Sequence, residues 1–383
     1  MVPMAEAMRN TARQRVFVLA GGGSGGHISP ALAIAERLAE LSAQGHAESP
    51  TVRSLFVCSQ REVDARMLTR AGADHVAIPA QPPSHRPMRF VRFLTGFRRS
   101  VRICGELLRE REVEQVVAMG GFVSVPVVWA ARSCGTPITL INLDDPPGKA
   151  NRWTAPRCDR VWSAIDLTAR PGFAERVVGM PIRRCAMGGG DPRRSRERLG
   201  LDPEKPTVLV TGASQGAASL NRFMMAMAGA EAPAFEGWQV YHLTGPGSDA
   251  AVREAYGRSG IAGRVDAFLD EIGLAWDAAD LAVSRAGANS VAEAAANAVP
   301  TLFLPYPHHR DMHQVNNAQP LVEAGGAMVA RDHVDAEANV EHVGPVLRML
   351  MSDESRRDAM RRHLEGQRPG DAALRIAEML LEA

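Results

Sequence analysis

The run from Gly21 to His27, GGGSGGH, packs five glycines and one histidine into seven residues. It follows the apolar stretch Val16–Ala20, which reads as a buried strand, and precedes Pro30–Leu38, whose apolar stripe reads as a helix. A glycine-rich turn between a strand and a helix N-terminus lets backbone N–H groups and the helix dipole face an anion at close range. His27 adds a proton acceptor beside that anion site. A second turn of the same kind, ASQGAAS from Ala213 to Ser219, follows the apolar run Thr207–Thr211. Gly21, Gly23 and Gly26 satisfy GxGxxG, but the next strand ends Val57-Cys58-Ser59-Gln60, without the acid that a dinucleotide ribose needs. No GxxxxGK[ST] run occurs, which excludes a P-loop. A turn that binds nothing would need one glycine, not five.

The elements that must carry these turns alternate along the chain. Ser54–Ser59, Gln115–Gly120 and Pro137–Asn142 read as further strands, with helices from about Glu62 and over Val125–Ala131 between them. Strand–helix alternation predicts a parallel sheet covered on both faces. The periodicity lapses over Gly188–Arg194, which reads as a linker, and restarts with strands at Thr207–Thr211, Gln239–Leu243, Leu281–Ser284 and Thr301–Pro305. At 383 residues two domains are expected, and two Rossmann-like α/β halves would face each other across a ligand cleft. A net charge of +1 gives no global field for nucleic acid. Cys58, Cys104, Cys134, Cys158 and Cys185 are scattered and odd in number, which points to a reducing compartment rather than a disulfide framework or a zinc site. No apolar run is long enough to span a membrane, and residues 1–14 lack the apolar core of a signal peptide and read as a frayed tail.

Six stretches, in order, resemble the motifs of one family. Gly22–His27 resembles GGTGGH; Met119–Pro126 resembles GGYVSxP; Val178–Arg183 resembles VGNPVR; Gly212–Ala217 resembles GGSQGA; Ser284–Glu293 resembles CRSGALTVSE; and Pro305–His308 with Asp311–Ala318 resembles PYPH and DNHQxxNA. The chain is similar over roughly residues 15 to 375 to MurG, the GT-B family that adds N-acetylglucosamine to lipid I in peptidoglycan synthesis. The resemblance implies a domain of residues 15–184 that meets acceptor and membrane, a UDP-sugar-binding domain of residues 185–365, and a terminal helix within 366–383 packing back on the first domain.

The resemblance also implies roles. Glu293 would take the two ribose hydroxyls of the donor, as a carboxylate can. Ser214 would hold a diphosphate oxygen, Arg183 would be the nucleotide-site arginine, Leu269 would meet the uracil through its main chain, and Gln314 with Asn317 would take the sugar hydroxyls. Ala288, Asn289, Ser290, Val291 and Ala292 flank Glu293 in the same donor set, joined by Ser24, Gly25, Gly26 and Asp144. His27 is the candidate base for a displacement that inverts the anomeric carbon. The chain departs from the family where HEQN is expected: Ile141–Asp144 reads INLD, so Asp144 becomes a second candidate base. Phe122, Ser24 and Met180 stand for the family's Tyr, Thr and Asn. The donor-side motifs are therefore better kept than the acceptor-side ones.

Residues 86–102 carry six arginines and no acid, interleaved with apolar side chains. Arg86, Arg89, Phe90, Arg92, Phe93, Phe97, Arg98 and Arg99 would form a basic amphipathic face for an anionic membrane surface, worth at most about 6 kcal/mol at about 1 kcal/mol per basic residue. The family carries a membrane patch in this region, so a peripheral position on the cytoplasmic side of the inner membrane is expected. His308, His309, Asp311 and His313 fit no zinc motif, and no metal or cofactor is expected. The expected partners are UDP-N-acetylglucosamine, an undecaprenyl-linked acceptor and the membrane surface, with no nucleic acid. A related GT-B enzyme with another lipid-linked acceptor, and a non-catalytic UDP-sugar-binding protein, are the alternative readings.

Overall fold

A computed structural model describes residues 14–23, 25–44, 50–83, 86–167, 170–213, 215–307 and 313–382. The first half runs β1 (Gln14–Ala20), α1 (Ile28–Gln44), β2 (Thr51–Ser59), α2 (Glu62–Arg70), β3 (His75–Ile78), α3 (Pro87–Glu110), β4 (Gln115–Ala118), α4 (Gly121–Cys134), β5 (Ile138–Asn142), α5 (Lys149–Thr154), β6 (Arg160–Ser163) and β7 (Arg176–Val177). The second half runs α6 (Pro192–Arg198), β8 (Thr207–Thr211), α7 (Ala218–Ala230), β9 (Gln239–Leu243), α8 (Asp249–Arg258), β10 (Gly263–Asp266), α9 (Ile272–Ala278), β11 (Leu281–Ser284), α10 (Ala288–Ala296), β12 (Thr301–Phe303), α11 (His313–Glu323) and β13 (Ala327–Val329). Four helices close the chain: α12 (Ala336–His342), α13 (Gly344–Ser352), α14 (Glu354–Gly366) and α15 (Ala372–Leu381).

Every strand pairing is parallel, and the sheets have the orders β3-β2-β1-β4-β5-β6-β7 and β10-β9-β8-β11-β12-β13. Both orders reverse beside their first strand, leaving a crevice between β1 and β4 and another between β8 and β11, where doubly wound sheets bind ligands. β1 and β8 read as continuous apolar runs because both faces of each sheet are covered: Val16 and Val18 face one buried cluster, and Phe17 and Leu19 the other. β3 and β10 lie at sheet edges and β7 and β13 at the opposite edges; none has a long apolar run, and the sequence pattern predicts none of them.

The stretch expected to be a linker is only partly one. Pro192–Arg198 is a helix, because Asp191 caps it by accepting from Arg194 N at 3.1 Å and Pro192 needs no partner in the first turn. The crossing between the halves is bound by polar contacts. Arg183 Nε meets Glu36 Oε1 at 2.8 Å, Arg184 Nη2 meets Glu40 Oε2 at 2.9 Å, and Asn297 holds Gly188 N at 2.7 Å and Ala186 O at 2.9 Å. Helix α15 lies on α1, burying Ile376, Ala377 and Leu380 with Phe17, Leu19 and Leu38, and burial of Ile376 and Leu380 contributes about 3–6 kcal/mol. Its cap Asp371 also binds the buried Arg37 at 2.8 Å. Residues 1–13 lie outside the described residues; Gln14, expected in the tail, begins β1.

Candidate active site

The turn after β1 is held by a carboxylate from the next β–α unit. Asp64, fully buried on α2, accepts from Gly23 N at 2.8 Å and, at the end of β2, from Ser59 N at 3.2 Å and Ser59 Oγ at 2.5 Å. Arg61 donates to Gly23 O from the same helix start. Gly23 has φ +103°, and a Cβ there would stand 2.7 Å from the Phe122 ring of α4, so the turn requires glycine. Across the crevice, Gly121 opens α4 against His27, whose Cε1 lies 3.3 Å from where a Gly121 Cβ would stand. The analogous turn after β8 is as tight: at Gly216, φ +69°, a Cβ would sit 2.1 Å from Thr244 O.

The two crevices open onto one cavity of about 420 Å³. Gly25, Gly26, His27 and Asp144 line it from the first half, and Leu269, Ala288, Asn289, Ser290, Glu293, His313, Gln314 and Asn317 from the second, with Arg183 between. Val291 and Ala292, expected in the donor set, do not line it. Val291 is turned by the helical repeat into the buried cluster with Leu209 and Trp276, and Ala292 lies off the cavity wall. Ser24, Ser214, His308, His309 and Asp311 lie outside the described residues. Sequence reading missed Met67, Cys185, Ala213 and Phe268, which also line the cavity. Met67 and Phe268 carry no motif, and only the approach of α2 and of the β10–α9 loop brings them there; Ala213 belongs to the second glycine turn and Cys185 to the crossing between the halves.

His27 is half-buried, and its Nδ1 has no hydrogen-bond partner among the described residues. Burial holds its imidazole below the ordinary range, against the opposing charges of Asp144 and Asp64, so it is neutral at pH 7 and free to accept a proton. Glu293 stands in the second turn of α10 rather than at its start, so the helix dipole does not explain its presence. Burial pushes its carboxyl up to about 7, against a hydrogen bond from Trp276 Nε1 at 3.0 Å. Gln314 accepts from Tyr306 N at 2.8 Å, and Asn317 donates to Ala286 O at 3.2 Å while its Oδ1 is buried without a partner among the described residues. Asn289 reaches across the cleft to Gly26 O at 3.3 Å. Arg183, ion-paired with Glu36, faces the same cavity. The arrangement sets a neutral base on one wall opposite a carboxylate, amides and the N-terminus of α10 on the other. It suits deprotonation of one substrate beside stabilisation of an anionic leaving group on the second.

Away from the cleft, α3 exposes Met88 at 73%, Phe90 at 47% and Val91 at 58%, so its first turns do not face a core. Arg86, Arg89, Arg92, Arg98 and Arg99 are exposed with them. Phe93 and Phe97 are half-buried, and rings continue through Phe97–Trp129 at 6.0 Å to Trp129–Trp153 at 4.5 Å. Among the described residues no helix is long and apolar enough to cross a membrane. Cys58 and Cys104 are buried and the other cysteines half-buried; burial pushes the thiols of Cys58, Cys104 and Cys158 up to about 12.

Residues 17–163 match the glycosyltransferase family 28 N-terminal domain and residues 207–375 the family 28 C-terminal domain. A relative from Nocardioides sp. is 36% identical over 95% of this chain and 97% of its own length. Another from Paenarthrobacter aurescens is 35% identical over 98% of both. Each is named UDP-N-acetylglucosamine–N-acetylmuramyl-(pentapeptide) pyrophosphoryl-undecaprenol N-acetylglucosamine transferase. Among solved structures, MurG of Acinetobacter baumannii superposes with a TM-score of 0.68 at 22% identity, covering 97% of this chain and 100% of that one. A UDP-GlcNAc 2-epimerase from Neisseria meningitidis superposes at 0.62 with 14% identity, over 97% of this chain and 100% of its own, so the two-domain fold alone does not choose the reaction. Full-length identity above 30% does: the chain belongs to the MurG family of N-acetylglucosamine transferases, GT-B enzymes of glycosyltransferase family 28.

Proposed function

We propose that the chain transfers N-acetylglucosamine from UDP-N-acetylglucosamine to the muramoyl sugar of undecaprenyl-pyrophosphoryl-MurNAc-pentapeptide, with inversion. One observation carries the site assignment: a single cavity has His27 and Asp144 on one wall and Glu293, Gln314 and Asn317 on the other. The acceptor hydroxyl attacks the anomeric carbon, the bond to the diphosphate oxygen breaks, and UDP leaves. His27 takes the hydroxyl proton, since its burial keeps it unprotonated. The charge growing on the diphosphate faces the N-terminal amides of α10. Glu293 holds the ribose, Gln314 and Asn317 the sugar hydroxyls, and Arg183 exchanges part of its pairing with Glu36 for the nucleotide.

Residues 15–184 then form the acceptor half and residues 185–365 the donor half. The first turns of α3 dock on an anionic membrane surface, which the exposed apolar and arginine side chains on one helix support. This gives a peripheral enzyme at the cytoplasmic face of the inner membrane. Calorimetric titration with UDP-N-acetylglucosamine tests the donor half: binding by the intact chain that Glu293→Ala weakens at least tenfold is expected. Equal binding by both proteins removes Glu293 from the site.

A further inference from the structure

Glu293 is not free to turn. Its Oε2 accepts from the indole N–H of Trp276 at 3.0 Å, and Oε1 has no hydrogen-bond partner among the described residues. Trp276 lies on α9, 1% exposed, packed among Leu209, Tyr241, Ala294 and Phe303, so its ring cannot follow a moving carboxylate. An indole nitrogen donates and never accepts, so this contact favours the ionised carboxylate and fixes its orientation, using one of the two acceptor sites on Oε2. The other oxygen belongs to a group that lines the cavity.

We infer that Trp276 is a positioning residue for the donor: it holds Glu293 in one orientation, so that Oε1, with both its lone pairs, presents to the vicinal hydroxyls of a ribose. The inference rests on the proposed UDP-sugar reading and extends it to a residue one layer behind the cavity. A carboxylate free to turn can re-aim at whichever hydroxyl a sugar retains, and it would discriminate weakly against a sugar lacking one of them. A carboxylate held in one orientation cannot re-aim, which ties recognition to a diol of fixed geometry.

The other titratable groups facing this cavity are Arg183, Cys185 and Asp270 near Glu293's own half, His313 on α11, and His27 and Asp144 opposite. Glu293 is the one whose carboxyl burial raises to about 7, and the indole contact opposes that rise. Losing the indole N–H therefore moves protonation of Glu293 to higher pH, and donor binding, which uses the anion, weakens with it.

The test is steady-state transfer by the full chain with UDP-N-acetylglucosamine, together with titration of UDP, 2′-deoxy-UDP and 3′-deoxy-UDP between pH 6 and 9. Wild type is expected to bind each deoxynucleotide at least tenfold more weakly than UDP. In Trp276→Phe the donor KM rises about tenfold with kcat within twofold. Deoxy discrimination shrinks, and the pH at which binding is half-lost on acidification moves up. In Glu293→Gln the pH dependence is absent, and adding Trp276→Phe changes it no further. Loss of wild-type UDP binding would sink the donor reading and this inference together. If wild type binds UDP, then a Trp276→Phe protein with unchanged KM, discrimination and pH profile overturns the inference alone. If Trp276→Phe does not fold, the wild-type comparison decides: equal binding of UDP and both deoxynucleotides overturns it.

Discussion

Asp64 offers the sharpest perturbation of the first glycine turn. Replacing it by alanine strips one carboxylate oxygen from three donors, Gly23 N–H at 2.8 Å, Ser59 N–H at 3.2 Å and Ser59 O–H at 2.5 Å. The side chain is 0% exposed, so no bulk water replaces it. The serine hydroxyl can rotate to another acceptor, but the two backbone N–H groups cannot. At about 1–3 kcal/mol for each buried donor left unpaired, the loss is about 2–6 kcal/mol. Asp64→Asn keeps an acceptor oxygen and is expected to lose about half as much. The loss is local to the first half, so amide hydrogen exchange at residues 21–28 reads it better than a single melting curve of a two-domain chain. Because His27 ends the same turn, kcat falls in Asp64→Ala, while the donor KM, set mainly by Glu293, Gln314 and Asn317 on the other half, changes less. Exchange in Asp64→Ala within about 1 kcal/mol of wild type, or a change in donor KM without one in kcat, refutes this reasoning.

Other outcomes follow from the same geometry. His27→Ala is expected to lower kcat about 10²–10⁴-fold with UDP-N-acetylglucosamine affinity unchanged in titration. Since burial holds His27 below its ordinary 6.5, the acidic limb of the kcat profile falls below that pH, and a limb above it contradicts the neutral-base role. Asp332, buried and 2.7 Å from Arg285, also accepts from Ser219, Asn339 and Val334. Asp332→Ala strands that arginine and is expected to destabilise the second half by about 3–5 kcal/mol in hydrogen exchange. Burial works to raise the Asp332 carboxyl, but its hydrogen bonds and Arg285 prevail and hold it below its ordinary value. Its contribution is therefore complete above that ordinary value of 3.8 and is lost as pH falls through the depressed one. Substituting Phe90 and Val91 by serine is expected to cut flotation with anionic vesicles several-fold, and salt to weaken what remains; binding that is indifferent to lipid charge and salt excludes the electrostatic docking of α3.

Much of this arrangement is legible in the sequence. The β1 turn announces itself because a fully buried parallel strand reads as an unbroken apolar run and the turn needs several glycines at once. The two doubly wound halves follow from strand–helix alternation, and their cleft from the two glycine turns. Helix α6 was hidden by its Gly-Pro-Arg composition, although Asp191-Pro192 is itself a helix start. β7 is two exposed residues whose pairing depends on β6 being there already. Asp64 and Trp276 were silent for another reason. An acid early in a helix and a tryptophan in an apolar run have ordinary structural uses, and only tertiary packing turns one toward Gly23 and the other toward Glu293. Within the expected donor set, the 3.6-residue repeat turns the Val291 side chain into the core, which a motif read as a string does not show.

Transfer between the two walls of the cavity is tested by incubating the purified protein with UDP-N-acetylglucosamine and a water-soluble analogue of the pyrophosphoryl-MurNAc-pentapeptide acceptor, with UDP release and product mass followed together. Stoichiometric UDP and a β-linked disaccharide product, both abolished in His27→Ala, are predicted. UDP-N-acetylglucosamine bound without any disaccharide formed would contradict transfer to this acceptor and leave the acceptor wall, with Asp144 in its altered segment, to another substrate.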